Sequence, residues 1–162
     1  MAVHLLSRVL NLTRTADVVA YTAGDVIGSS ASAGGAVLSF PSSGGNGKSF
    51  VVNGSELRID LNAIPSGMTS LRLYLYSATP PSNLADNAAW DLPAGDASVF
   101  LGYVDLGTPV DLGSTLYVQA VNLGKAVRVR EDSTLFGYLV TIAGYTPASG
   151  TTHQIVLHAE GY

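Results

Sequence analysis

The stretch from Ser70 to Leu106 constrains this chain more than any other part of it. Ser70–Ala78 reads SLRLYLYSA, with Leu71, Leu73 and Leu75 on one side of an extended backbone and Arg72, Tyr74 and Tyr76 on the other. Strict alternation of this kind marks a half-buried β-strand. Ser98–Leu106 (SVFLGYVDL) reads as a second strand. Between them lies TPPSNLADNAAWDLPAGDA, which holds three of the seven prolines and the only tryptophan. Two patterned strands with so elaborate a connection predict a rigid sandwich presenting a structured loop. Within that loop Pro80 and Pro81 stop the first strand, and Ser82 or Asn83 can cap one or two helical turns through Trp90. Leu84 and Trp90 would pin the segment to the sheet.

The same strand signal recurs along the chain. Asp17–Thr22, Val26–Gly28, Gly35–Phe40, Thr134–Ile142 and Thr152–Glu160 are short apolar or alternating runs bounded by Gly, Pro, Ser and Asp. Asn53-Gly54 is the preferred pair for a two-residue hairpin turn. Folding Lys48–Leu61 about it gathers Phe50, Val52, Leu57, Ile59 and Leu61 on one face, with Ser49, Val51, Glu56, Arg58 and Asp60 on the other. Leu116–Arg130 reads as a second hairpin about Leu123-Gly124, with Leu116, Val118, Ala120, Val127 and Val129 inward. Asp105-Leu106-Gly107 and its echo Asp111-Leu112-Gly113 read as strand ends or turns. The expected fold is all-β: a single-domain antiparallel β-sandwich of jelly-roll type, with about 8–10 strands and one short helical insert near residues 82–90.

Residues 1–16 are either an N-terminal arm reaching a neighbour or a first strand tucked into the chain's own sheet, and residues 17–162 form the jelly-roll domain. Val3, Leu5, Leu6, Val9, Leu10 and Leu12 give this segment its apolar character, while Asn11-Leu12-Thr13 favours an extended backbone. With no basic start and no small-residue cleavage site, it does not read as a signal peptide.

Composition narrows the function classes. Only 12% of residues are charged, about half of what a globular domain carries. Such a coat suits an ordinary β-sandwich, and it also suits a surface covered by other subunits, since charge is depleted at interface centres. The net charge of −4 speaks against nucleic-acid binding through phosphates. No apolar run approaches a membrane span. Without cysteine there is neither a disulfide framework nor a thiolate metal site.

No chemistry emerges from the motifs. Gly47-Lys48-Ser49 lacks the glycine or alanine five residues earlier, where Ser42 stands, and is followed by a strand rather than the helix a phosphate loop needs. His153 and His158, five apart on a strand, face opposite sides and cannot share a metal directly. A strained serine elbow is absent. Asp86, Asp91 and Asp96 crowd the insert, with Asp25 in another turn, but their spacing matches no calcium loop. No cofactor, metal or catalytic residue is expected. Tyr74, Tyr76, Tyr117 and Tyr138 fall on strand faces that could look outward, and with Trp90 they offer aromatic surface for a sugar, a protein or the core.

The central segment ELRIDLNAIPSGMTSLRLYLYSATPPSNLADNAAWDLPAGDASVFLGYVDLG resembles a group of small structural proteins of tailed bacteriophages, similar to capsid decoration (cement) proteins with a jelly-roll fold. TADVVAYTAGDVIG, GSTLYVQAVN and TLFGYLVTIAGYTP extend the resemblance over nearly the whole chain. It implies a non-enzymatic protein on the outer surface of a capsid, bound at contacts between major capsid subunits and stabilising the mature head. Its partners would be the major capsid protein and itself, as a homotrimer in preference to a homodimer, with no nucleic acid and no membrane. The resemblance transfers no functional residue. Candidate contacts with the capsid or a sister subunit are Val3, Leu5, Leu6, Leu84, Trp90, Tyr74 and Tyr76. The alternative is a receptor- or carbohydrate-binding jelly-roll module of a phage tail or fibre.

Overall fold

The computed structural model describes residues 4–41, 49–130 and 134–161, with side chains from residue 7 onward. Its strands pair as nested antiparallel couples. His4 of β1 (His4–Thr13) lies opposite Gly161 of β10 (Thr152–Gly161), and Val26 of β2 (Val26–Ile27) opposite Val140 of β9 (Thr134–Thr141). Further in, Ser49 of β4 (Ser49–Ile59) faces Arg128 of β8 (Leu116–Arg128), and Leu71 of β5 (Leu71–Tyr76) faces Gly107 of β6 (Phe100–Gly107). β3 (Leu38–Pro41) follows β9, and β7 (Val110–Asp111) follows β8. The chain is thus doubled over, and the connection between β5 and β6 is the tip of the fold.

Rolling this double ribbon sets β10 beside β4 and β9 beside β5. The result is two five-stranded sheets, β1-β10-β4-β8-β7 and β2-β9-β5-β6 with β3 also on β9. This is the antiparallel sandwich that the spacing predicts, wound as a jelly roll. Alternation then places the core. Leu57 and Ile59 from one sheet meet Leu71, Leu73, Leu75 and Leu139 from the other, all essentially solvent-free. Each such side chain contributes about 1.5–3 kcal/mol by leaving water. Of the apolar N-terminal segment, His4–Thr13 form strand β1, paired along its whole length with β10 of the same chain.

Both expected hairpins are corrected. β4 runs straight through Asn53-Gly54, and β8 straight through Leu123-Gly124. The two long strands pair with each other, and their register shifts where Val52 faces Lys125 and Gly54 faces Val121. The inward set explains the ambiguity. Phe50 and Val52 are at even positions and Leu57 and Ile59 at odd ones, so an unbroken pleat would turn one pair outward. A tight turn and a β-bulge both restore the phase. The bulge forms: Asn122 and Gly124 adopt positive φ of 58° and 56° on the β8 side, whereas neither Asn53 nor Gly54 does so. β4 lies between β10 and β8, and a hairpin there would forfeit pairing on both flanks.

The helical insert at 82–90 is also corrected. Those residues form turns, with Asn83 and Asn87 at positive φ, and among the described residues the one short helix, α1, is Ala94–Ala97. Left-handed asparagines break a helix at once. Asp17–Thr22 is not a strand either; only Tyr21 bridges, to Tyr145. Gly107 and Gly113 close the two echoed tripeptides at φ of 90° and 99°, as strand end and turn.

Candidate functional site

The connection at the tip of the fold does not project into solvent. It leaves β5, crosses the outside of the β2-β9-β5-β6 sheet and pairs with the far edge. Asn87 N–H donates to Val26 O (2.9 Å), Val26 N–H to Ala88 O (2.9 Å) and Trp90 N–H to Gly24 O (2.9 Å). Beneath it the outward tyrosines become a second core. Tyr74, Tyr76 and Tyr138 pack with Val26, Val99 and Val140, flanked by Leu84, Trp90, Phe100 and Phe136. The Trp90 ring stacks on Tyr74 with centroids 3.6 Å apart and planes 17° from parallel. Its Nε1–H donates to Tyr76 Oη (3.0 Å), and Leu84 N–H donates to Tyr138 Oη (3.0 Å). Each phenol that leaves water thus keeps a partner, as a buried tyrosine requires.

These positions alter the candidate contacts. Tyr76 is fully buried and Tyr74 nearly so, and both are consumed by the chain's own insert. In this conformation neither has surface to offer a neighbour. Leu84 and Trp90 are half-buried and face the sheet. Val3 lies outside the described residues, as do the side chains of Leu5 and Leu6, whose backbone belongs to β1. Tyr138 is likewise internal, whereas Tyr117 stays on the open face of β8.

A second anchor of the insert is a charged group that the pattern of residues does not announce. Arg14, just past β1, is 2% exposed. Its Nε–H donates to Tyr21 Oη (2.6 Å), which donates to Asp86 Oδ1 (2.7 Å). The same oxygen accepts Gly28 N–H (2.7 Å). The guanidinium also meets Asp17 Oδ1 (2.6 Å), Asp17 O (2.7 Å) and, at 3.7 Å, Asp86 Oδ2. Burial alone would lower the pKa of Arg14, and the bonds to Tyr21 and Asp17 more than offset it. Burial and the bond to Asp86 hold the Tyr21 phenol well above its ordinary range. One buried cation therefore ties together the end of β1, the loop to β2 and the insert.

His153 sits close to this group on the inward face of β10, 1% exposed, and neither ring nitrogen has a well-aligned partner. Burial pushes its pKa down to about 4, and the positive charge of Arg14 acts in the same direction. The folded protein therefore excludes a proton that the unfolded chain binds below about pH 6.5. Stability should fall as pH drops through the window from about 6.5 to 4, by about 2 kcal/mol between pH 7 and pH 5. Urea unfolding at those two values checks this, with His153→Leu as control. An equal drop in that variant would assign the effect elsewhere.

The open face of the other sheet carries a hydrogen-bonded polar row. Ser7 Oγ lies 3.1 Å from His158 Nδ1, and His158 Nε2 lies 3.0 Å from Glu56 Oε1. Arg58 bridges Glu56 and Gln154, and Gln154 donates to Asn11 Oδ1 (3.1 Å). Serine, imidazole and carboxylate in line resemble a nucleophile with its base. Acyl transfer also needs donors aimed at an oxyanion. Here the amides of β10 and β4 are engaged by strands on both flanks, and the row lies on a flat sheet. The arrangement serves cross-strand pairing.

The acidic residues of the insert serve packing as well. Asp86 is spent on Tyr21 and Gly28, and Asp96, fully buried, accepts Ser82 N–H at 2.9 Å. Asp25 accepts from the backbone and hydroxyl of Thr22, and Asp91 is exposed. Among the described residues no three His, Asp or Glu side chains converge as metal ligands, and no helix is long and apolar enough to cross a membrane. In Gly47-Lys48-Ser49, Gly47 and Lys48 lie outside the described residues, and Ser49 begins a strand.

Large apolar side chains also stand outward, Val9, Leu92 and Val121 among them. Val18, Val19, Ile64 and Ile142 are exposed in connections at one pole of the sandwich. Val110 and Leu112 follow β6 toward the same pole. Tyr103 on β6 is 47% exposed, with the Arg72 guanidinium 4.1 Å over its ring and fixed by Asp105.

No family model and no curated protein matches the chain. Among solved structures it is similar to the capsid of Ralstonia phage GP4, at 17% identity and a TM-score of 0.44, over 98% of this chain and 83% of that one. It is also similar to the semi-empty particle of giant freshwater prawn Macrobrachium rosenbergii nodavirus, at 12% identity and a TM-score of 0.38, over 99% and 93% of the two chains. A bacterial lipoprotein from Bacteroides thetaiotaomicron gives 10% identity and a TM-score of 0.38, over 98% and 83%. All three scores are low, and none assigns a role to this chain.

Proposed function

We propose that this chain is a non-enzymatic structural protein of a virion, placed on the outside of a bacteriophage capsid where major capsid subunits meet. The observation that carries the reading is how the chain spends its residues. Many of its polar and ionisable groups are used in packing the insert and zipping the sheets, while large apolar side chains stand exposed on a chain of which only 12% is charged. That is the composition of a surface made to be covered. The resemblance of residues 56–107 and their flanks to phage decoration proteins supplies the partner. Copies repeated over a shell convert modest affinity per contact into firm attachment. Self-association, as a homotrimer before a homodimer, belongs to the same reading.

The test compares purified heads with and without the protein. Heads that lack it should burst at a lower temperature, and adding the purified chain should restore the midpoint. Unchanged stability in its absence would remove the cementing role. Tyr103, held flat by Arg72, favours one further reading, a receptor- or glycan-binding module. Glycan-array binding that is lost in Tyr103→Ala, with the protein located on the tail, would support that alternative.

A further inference from the structure

We infer that the pole formed by the connections at 14–25, 60–70 and 142–151 is the docking end, and that its partner is a shell-protein surface with an apolar centre and a cationic rim. The inference rests on the reading above that the chain attaches to a capsid. Three observations carry it. Val18 (62%), Val19 (52%), Ile64 (40%) and Ile142 (37%) are exposed in connections that are bonded to one another. Tyr21 N–H donates to Tyr145 O, Ile142 N–H to Ser70 O and Gly150 N–H to Thr15 O. These loops are therefore one surface.

That surface is also held rigid. Arg14, itself buried, anchors its longest loop from below and donates to the carbonyls of Asp17, Val19 and Ala148. A Cβ on Gly67 would lie 2.5 Å from Gly144 O, and one on Gly144 would lie 2.8 Å from Tyr21 O, so the loops are closely packed. Loops already ordered lose little freedom when a partner arrives. Apolar side chains on a rigid pole are otherwise a liability, since none of the described residues covers them.

Charge indicates the partner. Asp60 and Asp111 are exposed at this end, and among the described residues neither forms an ion pair. Nearby cations are committed elsewhere: Arg14 is buried, Arg58 pairs with Glu56, and Arg72 pairs with Asp105. Lys125 and Arg130 lie toward the opposite end of β8. An acidic rim around an apolar centre fits a surface that presents Lys or Arg around apolar side chains, which also excludes like-charged partners.

The experiment is co-sedimentation of the full chain with heads that lack it, using wild type, Val18→Asp, Ile142→Asp and Asp60→Lys. The substituted side chains are exposed, and unchanged thermal melts confirm that each variant folds. Each aspartate should weaken binding at least tenfold, and Asp60→Lys should weaken it and reduce its dependence on salt. Variants that bind as wild type does overturn this assignment and leave the capsid reading standing. Wild type that fails to sediment with heads overturns both. Retained head binding with loss of self-association, seen by light scattering, also overturns it, because the pole would then be a contact between copies.

Discussion

Replacing Arg14 with Met is expected to cost about 3–5 kcal/mol of folding stability, the largest single effect we anticipate in this chain. The guanidinium is solvent-free and donates to Tyr21, to Asp17 and to three or more backbone carbonyls, while Asp86 lies 3.7 Å away. Methionine fills the space but leaves the Asp86 carboxylate buried without its countercharge. Arg14→Lys should recover little, because an ammonium cannot reach the phenol, the carboxylate and the carbonyls at once. Asp86→Leu should be destabilising too, and the Arg14→Met, Asp86→Leu double variant should cost less than the two singles together. Urea unfolding of the four proteins measures this. Additive losses would show that the two charges are not coupled through the buried group.

The second large effect is local. Trp90→Ala should cost about 3 kcal/mol, at the low end for a large aromatic because the ring is only half-buried. It removes the stack on Tyr74 and leaves Tyr76 Oη without its donor. The loss should appear first where the insert is held. Amide exchange at Val26, Ala36, Leu84 and Asn87 should accelerate, while amides of β10 and β4 remain protected. Trp90→Phe keeps one ring on Tyr74 but forfeits the N–H and the second ring, so about 1–2 kcal/mol is expected. If exchange rose evenly across both sheets, the insert would be part of one cooperative unit and not a separately docked cover.

The insert also shows how far the residues could be read. Leu84 and Trp90 were recognisable as anchors because a lone tryptophan in a proline-bounded segment has to be placed somewhere dry. Tyr74, Tyr76 and Tyr138, with Tyr117, were recognisable as falling on outward strand faces, but the pairing of β5 with β9 that brings the first three together was not. That these two sets belong together was not legible, since nothing in a connection's sequence states the direction in which it runs. Arg14 was less legible still. An arginine between two threonines on the flank of a strand looks like any exposed cation, and its partner is 72 positions away at Asp86. The one available signal was an excess of aspartates in a segment with no nearby basic residue.

The class of fold is legible from local patterning alone. Short alternating runs at roughly ten-residue spacing, with no long amphipathic helix, leave an antiparallel sandwich as the arrangement that buries their apolar faces. In the runs at Lys48–Leu61, Ser70–Ala78 and Leu116–Arg130 alternation also sorts the side chains onto two faces, because alternation is a local property. What each strand pairs with depends instead on contacts between distant parts of the chain. Between Val52 and Leu57 and between Ala120 and Val127 the inward set slips phase, and a hairpin and a bulge correct that slip equally well. The choice depends on whether flanking strands stand ready on both sides, which is a long-range fact. The tip of the folded ribbon, Ser70 to Leu106, was likewise visible as two strands and a loop. That the loop closes over its own tyrosines, and leaves the apolar pole as the surface to be covered, follows from packing across the whole chain.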